Sequence, residues 1–196
     1  MESTQATWRW RSILVAVSLL WVLPLASSSL QAQSFSPAYD VWFQEYSLKY
    51  LYGLLPEDDW KWYLAQCYQE SRLKPEAISP AGAVGLCQLM PGAAADAGLS
   101  SIERTNPEKN IRAGAFILRR NIRTWFPRPT RFDRLQLGWA SYNAGAGNII
   151  RSQAKCGGPT LWAGIAPCLY QVTGPDNAHE TITYVALIPK WYMGLQ

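Results

Sequence analysis

The sequence predicts a mainly α, single-domain protein behind an N-terminal signal peptide. Apolar residues recur at the spacing of an amphipathic helix in several stretches, whereas the alternating pattern of a half-buried strand is hard to find. About 165 residues follow the signal, enough for one domain with its own core. No internal repeat divides them.

The first 32 residues have the composition of a secretory signal peptide. Arg9 and Arg11 precede an apolar run over residues 13–25, and small residues follow it. The run is shorter than the roughly 20 residues of a membrane span, and an uncleaved anchor is the alternative. Three positions fit cleavage: Ala26, Ser28 and Ala32. We therefore expect an exported protein of the periplasm or cell envelope, with membrane contact only if this segment is retained.

Residues 33–55 form an aromatic-rich segment ahead of the main domain, residues 56–196. We expect one or two helices here that lie over the domain. Its aromatic and apolar residues are Tyr39, Val41, Trp42, Phe43, Tyr46, Leu48, Tyr50, Leu51 and Tyr52. We interpret them as core or packing surface rather than as a platform for sugars.

The next expected helix carries the most informative acidic residue, Glu70. Its apolar stripe consists of Trp60, Tyr63, Leu64 and Cys67. Acidic residues 57–59 favour its start, and the Lys74–Pro75 step favours its end. Glu70 comes three residues after Cys67 and so flanks the buried stripe near the helix end. Because burial disfavours a charged carboxylate, we expect the pKa of Glu70 to be raised.

Further helices are expected downstream. Asn106 before Pro107 is typical of a helix start, and an apolar stripe continues to Phe126. The other expected helices span residues 131–142, 148–154 and 180–188. Pro189 should stop or kink the last one. Residues 157–176 are expected to be irregular.

Several short motifs follow one another in the chain. They are Glu70-Ser71, residues 79–83 (Ser-Pro-Ala-Gly-Ala), residues 85–91 (Gly-Leu-Cys-Gln-Leu-Met-Pro), residues 106–114, residues 140–145 (Ala-Ser-Tyr-Asn-Ala-Gly), Glu180-Thr181 and Tyr184-Val185. In this order they resemble the soluble lytic transglycosylase family, lysozyme-like enzymes that cut bacterial peptidoglycan. The resemblance covers roughly residues 55–192 and implies a lysozyme-like helical domain.

The resemblance implies catalysis by a single acid without a cofactor. Most glycosidases use two carboxylates, but the signature region supplies only Glu70, because Glu76 follows Pro75 in what should be an exposed turn. In the family, the acid protonates the bond that follows N-acetylmuramic acid, and the sugar's own N-acetyl oxygen stabilises the cation. The same carboxylate then takes a proton from the attacking 6-hydroxyl, which gives a 1,6-anhydro sugar. A raised pKa suits both steps.

The resemblance also implies a set of substrate-binding residues. Those matching family positions in the cleft are Ser79, Gln88, Met90, Tyr142 and Asn143, together with Glu180 as a second acid that contacts sugar. Ordinary folding roles are the alternative: a turn at Ser79, core filling by Met90 and a helix C-terminus at Asn143. The chain departs from the family at Cys87, where methionine is usual.

Four cysteines in an exported chain suggest disulfides. Cys156 and Cys168 bracket a Gly- and Pro-containing loop. Cys67 lies one helical turn before Glu70. If Gln88 lines the cleft, its segment must return to that acid, which brings the adjacent Cys87 close to Cys67. We therefore expect the pairs Cys67–Cys87 and Cys156–Cys168, with buried thiols as the alternative for the first pair. No Cys-x-x-Cys or His pair supports a metal site.

The charge pattern and the motifs leave three functions to compare. The 18 Lys and Arg against 14 Asp and Glu are scattered without a nucleic-acid motif, so no such partner is expected, and a positive surface suits an anionic cell wall. A lytic transglycosylase that needs no cofactor comes first, and it would open the wall locally for a secretion, conjugation or phage system. A hydrolytic muramidase would need a second acid to activate water. An inactive wall-binding module would be expected to lack Glu70.

Overall fold

A computed structural model describes residues 37–127 and 130–196. All of them belong to one compact unit, Gln33–Gln196. The signal-peptide prediction for residues 1–32 lies outside the described residues. The helices of the described part are α1 (Asp40–Leu51), α2 (Lys61–Ser71), α3 (Pro91–Asp96), α4 (Pro107–Arg123), α5 (Arg131–Ala144), α6 (Ala146–Lys155), α7 (Trp162–Ile165), α8 (Tyr170–Thr173) and α9 (Pro175–Met193). Within these ranges the only β-pairing consists of isolated bridges, and the mainly α prediction is confirmed.

Helix α4 lies at the centre of the fold, between α1 and α5, while α2 packs on α9. Helix α4 starts where the sequence predicts, because Asn106 caps it by accepting a hydrogen bond from the Lys109 backbone N at 3.0 Å. A Cβ at Gly114 would lie 2.4 Å from the Tyr63 hydroxyl, which donates to the Ile111 carbonyl at 2.7 Å. Glycine is therefore required for α2 to approach α4 this closely.

The aromatic segment forms one helix, α1, preceded by a 3₁₀ turn at Pro37–Tyr39. Phe43, Tyr46 and Leu51 are buried, which confirms their interpretation as core. Tyr46 also donates a hydrogen bond to Glu108 on α4 at 2.8 Å. Tyr52, by contrast, is exposed. This helix thus fixes the central helix from the side away from α5.

The C-terminal part differs from the sequence prediction in two respects. Residues 157–176 are not irregular, because they contain α7, a 3₁₀ turn at Ala166–Cys168, α8 and the start of α9. Helix α9 continues past Pro189 to Met193, so the stop that was one of the two expected effects of this proline does not occur, while the expected kink stays a prediction. Tertiary contacts hold its last turn, since the Tyr192 ring stacks on Trp62 with centroids 3.6 Å apart. A proline in a helix removes one hydrogen bond, and such packing can offset that loss.

Candidate active site

Glu70 lies in the last turn of α2, where the predicted stripe of Tyr63, Leu64 and Cys67 is buried. The helix starts at Lys61, after a 3₁₀ turn at Pro56–Asp58. It ends at Ser71, three residues before the expected Lys74–Pro75 step, because Arg72 adopts the left-handed conformation with φ of 58°. The early end leaves the Glu70 side chain at the floor of an open cleft.

The carboxyl group of Glu70 is adapted to hold a proton at neutral pH. Its pKa is raised from 4.5 to about 8, mainly by burial; the hydrogen bond from Tyr184 lowers this pKa, and the charge of Glu180 contributes to the rise. The Tyr184 hydroxyl donates that bond to Glu70 Oε1 at 2.5 Å. At pH 7 the group is therefore mostly a neutral acid, which matches the expectation from the sequence.

The cleft has a volume of about 610 Å³ and contains all seven site residues that the sequence analysis named. These are Glu70, Ser79, Gln88, Met90, Tyr142, Asn143 and Glu180. They come from α2, the following loop, α5 and α9. Residues up to 110 positions apart in the sequence thus meet around one carboxyl group.

The loop of residues 77–89 forms one wall of the cleft, although Leu86, Cys87 and Leu89 within it are buried. Asn110 of α4 holds the backbone of this loop. Its Nδ2 donates to the carbonyls of Val84 (3.0 Å) and Arg104 (2.7 Å), and its Oδ1 accepts from the Cys87 backbone N at 2.8 Å. One buried side-chain amide thus satisfies the Cys87 amide and the Arg104 carbonyl, and it gives the Val84 carbonyl a second donor beside the Leu89 amide.

Backbone groups of this loop form hydrogen bonds with the side-chain amide nitrogen of Gln88 and the hydroxyl oxygen of Ser79. Gln88 has φ of 47°, and its Nε2 donates to the carbonyls of Ala77 (3.1 Å) and Gly85 (3.0 Å). Its Oε1 accepts no hydrogen bond from the described residues and remains for a ligand. Ser79 Oγ accepts from the Ala83 backbone N at 3.0 Å, so the turn role holds for this residue. Met90 is 44% exposed and is therefore not core filler.

The opposite wall is held by contacts between α5 and α9. Asn143 Nδ2 donates to Glu180 Oε1 at 3.2 Å, and Asn143 Oδ1 accepts from Thr181 at 2.6 Å. Tyr142 donates to the Cys87 carbonyl at 2.8 Å, across the cleft floor. Burial raises the pKa of the Tyr142 hydroxyl well above 10, with Tyr63 and Glu70 adding to the rise, so this group stays a donor.

The structure contains both disulfides that the sequence predicts. Cys67 is joined to Cys87, with Cα atoms 4.4 Å apart, and Cys156 to Cys168. The first bridge is fully buried and connects the helix of the acid to the loop that carries Gln88. Within residues 37–127 and 130–196 no cluster of three or more His, Cys, Asp or Glu side chains could hold a metal ion.

Comparison with known proteins places this arrangement in a family. The model of the transglycosylase SLT domain matches residues 53–161, more than half of the chain. The chain belongs to this family. The membrane-bound lytic murein transglycosylase F of Pseudoalteromonas translucida is 32% identical over 173 residues, which cover 81% of this chain and 35% of that protein. Its counterpart in Alcanivorax borkumensis is 33% identical over 151 residues, covering 68% of this chain and 31% of that protein. The chain thus spans about a third of the length of these curated relatives.

Solved structures show the same fold as this chain of the SLT family. The 70 kDa soluble lytic transglycosylase of Escherichia coli aligns with a TM-score of 0.59 and 24% identity, covering 81% of this chain and 24% of that one. An inactive mutant of the lytic transglycosylase Slt from Pseudomonas aeruginosa aligns with a TM-score of 0.60 and 26% identity, with the same coverage. The lysozyme-like helical fold is therefore confirmed.

The match to the SLT domain model ends at residue 161, before α9. Among the cleft residues that were not named as site residues from the sequence, Tyr184 and Gln69 make side-chain hydrogen bonds. Tyr184 is the hydrogen-bond donor to Glu70, and burial, with the adjoining carboxyl, raises the pKa of its hydroxyl well above 10. Gln69 also lines the cleft. A signal for Tyr184 was present, because it follows Glu180 by one helical turn and so shares its face.

None of the helices in residues 37–127 and 130–196 combines the length and the apolar character that crossing a bilayer requires.

Proposed function

We propose that this chain is a lytic transglycosylase that cleaves the glycosidic bond between N-acetylmuramic acid and N-acetylglucosamine in peptidoglycan and leaves a 1,6-anhydro end. The observation that carries the proposal is the neutral acid Glu70, with a pKa of about 8, on the floor of a large cleft. Support comes from family membership and from relatives named lytic murein transglycosylases.

In the first step Glu70 transfers its proton to the glycosidic oxygen as the bond from that oxygen to the anomeric carbon breaks. Tyr184 occupies Oε1 of the carboxyl, so the other oxygen is available to the substrate. The hydrogen bond from Tyr184 favours the charged form of Glu70. It therefore stabilises the carboxylate increasingly as the proton leaves. The N-acetyl oxygen of the muramic acid would stabilise the developing cation.

In the second step the 6-hydroxyl of the same sugar attacks the anomeric carbon. A new bond forms between that oxygen and the anomeric carbon, and the hydroxyl proton passes to the Glu70 carboxylate. The acid is thereby restored and no water is consumed. A carboxyl group with a pKa near 8 is suited to both directions of transfer at neutral pH.

We propose substrate contacts for the other cleft residues. Gln88 would accept a hydrogen bond through Oε1, and Ser79 would donate through its hydroxyl, because their remaining polar atoms are held by the loop. Met90 would contact a sugar face, while Tyr142, Asn143 and Glu180 would form the opposite wall. No cofactor enters this scheme.

Mass spectrometry of the muropeptides released from purified peptidoglycan tests the proposal. Products lighter by one water than those of a lysozyme would support it, and Glu70→Gln should release them about 10²–10⁴-fold more slowly. The alternative is a hydrolytic muramidase, for which Glu180 is a second carboxylate in the same cleft. Reducing ends throughout would establish that hydrolase and refute the transglycosylase.

We place this activity in the periplasm or cell envelope, where the peptidoglycan substrate lies and where an exported chain would reach it. We further propose a role in opening the wall for a secretion, conjugation or phage system, because a single compact catalytic unit suits local cleavage of the wall. A deletion strain that keeps normal conjugation, secretion and phage production would refute that role without affecting the chemistry.

A further inference from the structure

A cluster of aromatic and polar side chains surrounds an arginine near the end of the helix that carries Glu70, and one of its members lines the cleft. We call it the Arg72 cluster, which consists of Tyr68, Gln69, Arg72 and Trp191. The Arg72 guanidinium lies 4.9 Å from the centroid of the Tyr68 ring and 4.6 Å from that of Trp191. Its Nη1 also donates to the Tyr68 carbonyl at 2.8 Å. An exposed arginine is thus held in one orientation before any ligand arrives.

The charge of this guanidinium is not balanced by a carboxylate in the described part of the chain. The ion pairs found there join Lys109 to Glu103, Arg120 to Asp96 and Arg131 to Asp58. Arg72 makes its hydrogen bonds through Nη1 alone, so Nη2 and Nε retain donors for a ligand. An ordered guanidinium with free donors is suited to bind a carboxylate.

Gln69 connects Arg72 to the cleft. Its Oε1 accepts from Trp191 Nε1 at 2.7 Å and from Arg72 Nη1 at 3.4 Å. The carbonyl end of the amide is therefore occupied, and the Nε2 donors have no partner among residues 37–127 and 130–196. Gln69 lines the cleft beside Glu70. Arg72 does not line the cleft itself, but its Nη1 lies 3.4 Å from Gln69 Oε1, which brings the guanidinium next to a cleft residue.

We propose that Arg72 and Gln69 form a subsite for a carboxylate of the peptidoglycan strand. The proposal rests on the proposed function, since it requires the strand to lie in the cleft. Two parts of such a strand can supply the carboxylate: the peptide attached to muramic acid, or the lactyl group of a muramic acid without peptide. Trp191 and Tyr68 act as positioning residues, since they orient the two ligand-binding side chains.

Binding measured without turnover tests this subsite. In a Glu70→Gln background, titration calorimetry would compare three ligands: peptide-bearing glycan fragments, peptide-free glycan fragments with free lactyl groups, and neutral N-acetylglucosamine oligomers. Arg72→Gln should weaken at least one carboxylate-bearing ligand about ten-fold and leave the neutral oligomer unchanged. Which acidic ligand loses affinity identifies the source of the carboxylate.

The effect should also diminish at high salt, because an exposed ion pair is screened. The matched control is Arg123→Gln, which removes one exposed positive charge at the end of α4 and should change none of the three affinities. Trp191→Phe keeps the ring but removes the donor to Gln69, and it should weaken only the acidic ligands. Equal loss for all three ligands, or no loss for either acidic one, would overturn the subsite. Products with reducing ends would refute the proposed reaction but leave this comparison valid.

Discussion

Replacing Glu70 with glutamine should stabilise the fold at alkaline pH while it removes activity. Glutamine keeps the shape of the side chain and can still accept the hydrogen bond from Tyr184. In the native protein the pKa of Glu70 is raised from 4.5 to about 8, mainly by burial. The folded state therefore binds more protons than the unfolded state between these two pH values, and its stability falls as pH rises through this window.

The size of the effect follows from the two pKa values. At about 1.36 kcal/mol per pKa unit, ionising this carboxyl group in the folded protein costs up to about 5 kcal/mol above pH 8. The side chain faces the cleft, where solvent lowers the cost, and we expect about 2–4 kcal/mol. Below pH 4.5 the carboxyl is neutral in both states, and the wild type and the variant should be equally stable.

Urea unfolding at pH 4, 7 and 9 measures this difference. A suitable control is Glu76→Gln, which removes an exposed carboxyl in the neighbouring turn and should leave the pH dependence of the wild type intact. The same samples should show a 10²–10⁴-fold loss of activity for Glu70→Gln. A stability gain that is equal at pH 4 and pH 9 would refute the assignment of a raised pKa to this group.

Four further predictions concern the surroundings of the acid. Tyr184→Phe removes a hydrogen bond that lowers the pKa of the acid, so the alkaline limb of the pH–rate profile should move to higher pH, with a rate loss of roughly ten-fold. Glu180→Gln removes a charge that raises this pKa and should move the limb to lower pH; shifts in one direction for both variants would contradict the assignment. Replacing Cys67 and Cys87 by alanine opens a bridge with a sequence separation of 20 residues and should cost about 3 kcal/mol of unfolding free energy, whereas labelling of both thiols in unreduced wild type would disprove the bridge. Asn110→Ala leaves the Cys87 amide and the Arg104 carbonyl without their partner, while the Val84 carbonyl keeps its bond from the Leu89 amide; the variant should cost about 2–4 kcal/mol in urea unfolding, and a loss below about 1 kcal/mol would mean that water replaces the amide.

The parts of the fold that the sequence predicted are those with a strong local signal. The cap at Asn106 was predictable because its side chain and the following proline act within one turn. The short helices within residues 157–176 were not, because four-residue helices are too short to show a periodic pattern. The continuation of α9 past Pro189 depends on the stacking of Tyr192 on Trp62, a contact that local sequence does not contain.

The site was predicted more fully than the fold, because short motifs in order specify chemistry directly. Glu70 and the other six residues named from the motifs lie in one cleft. What the motifs did not reveal is how the residues are held. The role of Asn110 depends on backbone groups of a loop whose path only the tertiary structure defines. Gln69 was missed because its orientation is set by Trp191, 122 positions away.

The way Asn110 holds the loop of residues 77–89 has a consequence for hydrogen exchange. Loop amides usually exchange with solvent quickly, because they open locally at little cost. Here the Cys87 amide donates to the buried Asn110 side chain, and the amides of Val84 and Leu89 each donate to the other's carbonyl. Opening any of them would disturb a side chain in the central helix. These three amides should therefore exchange as slowly as those of α4 itself, so that the wall of the cleft beside Glu70 behaves as part of the core.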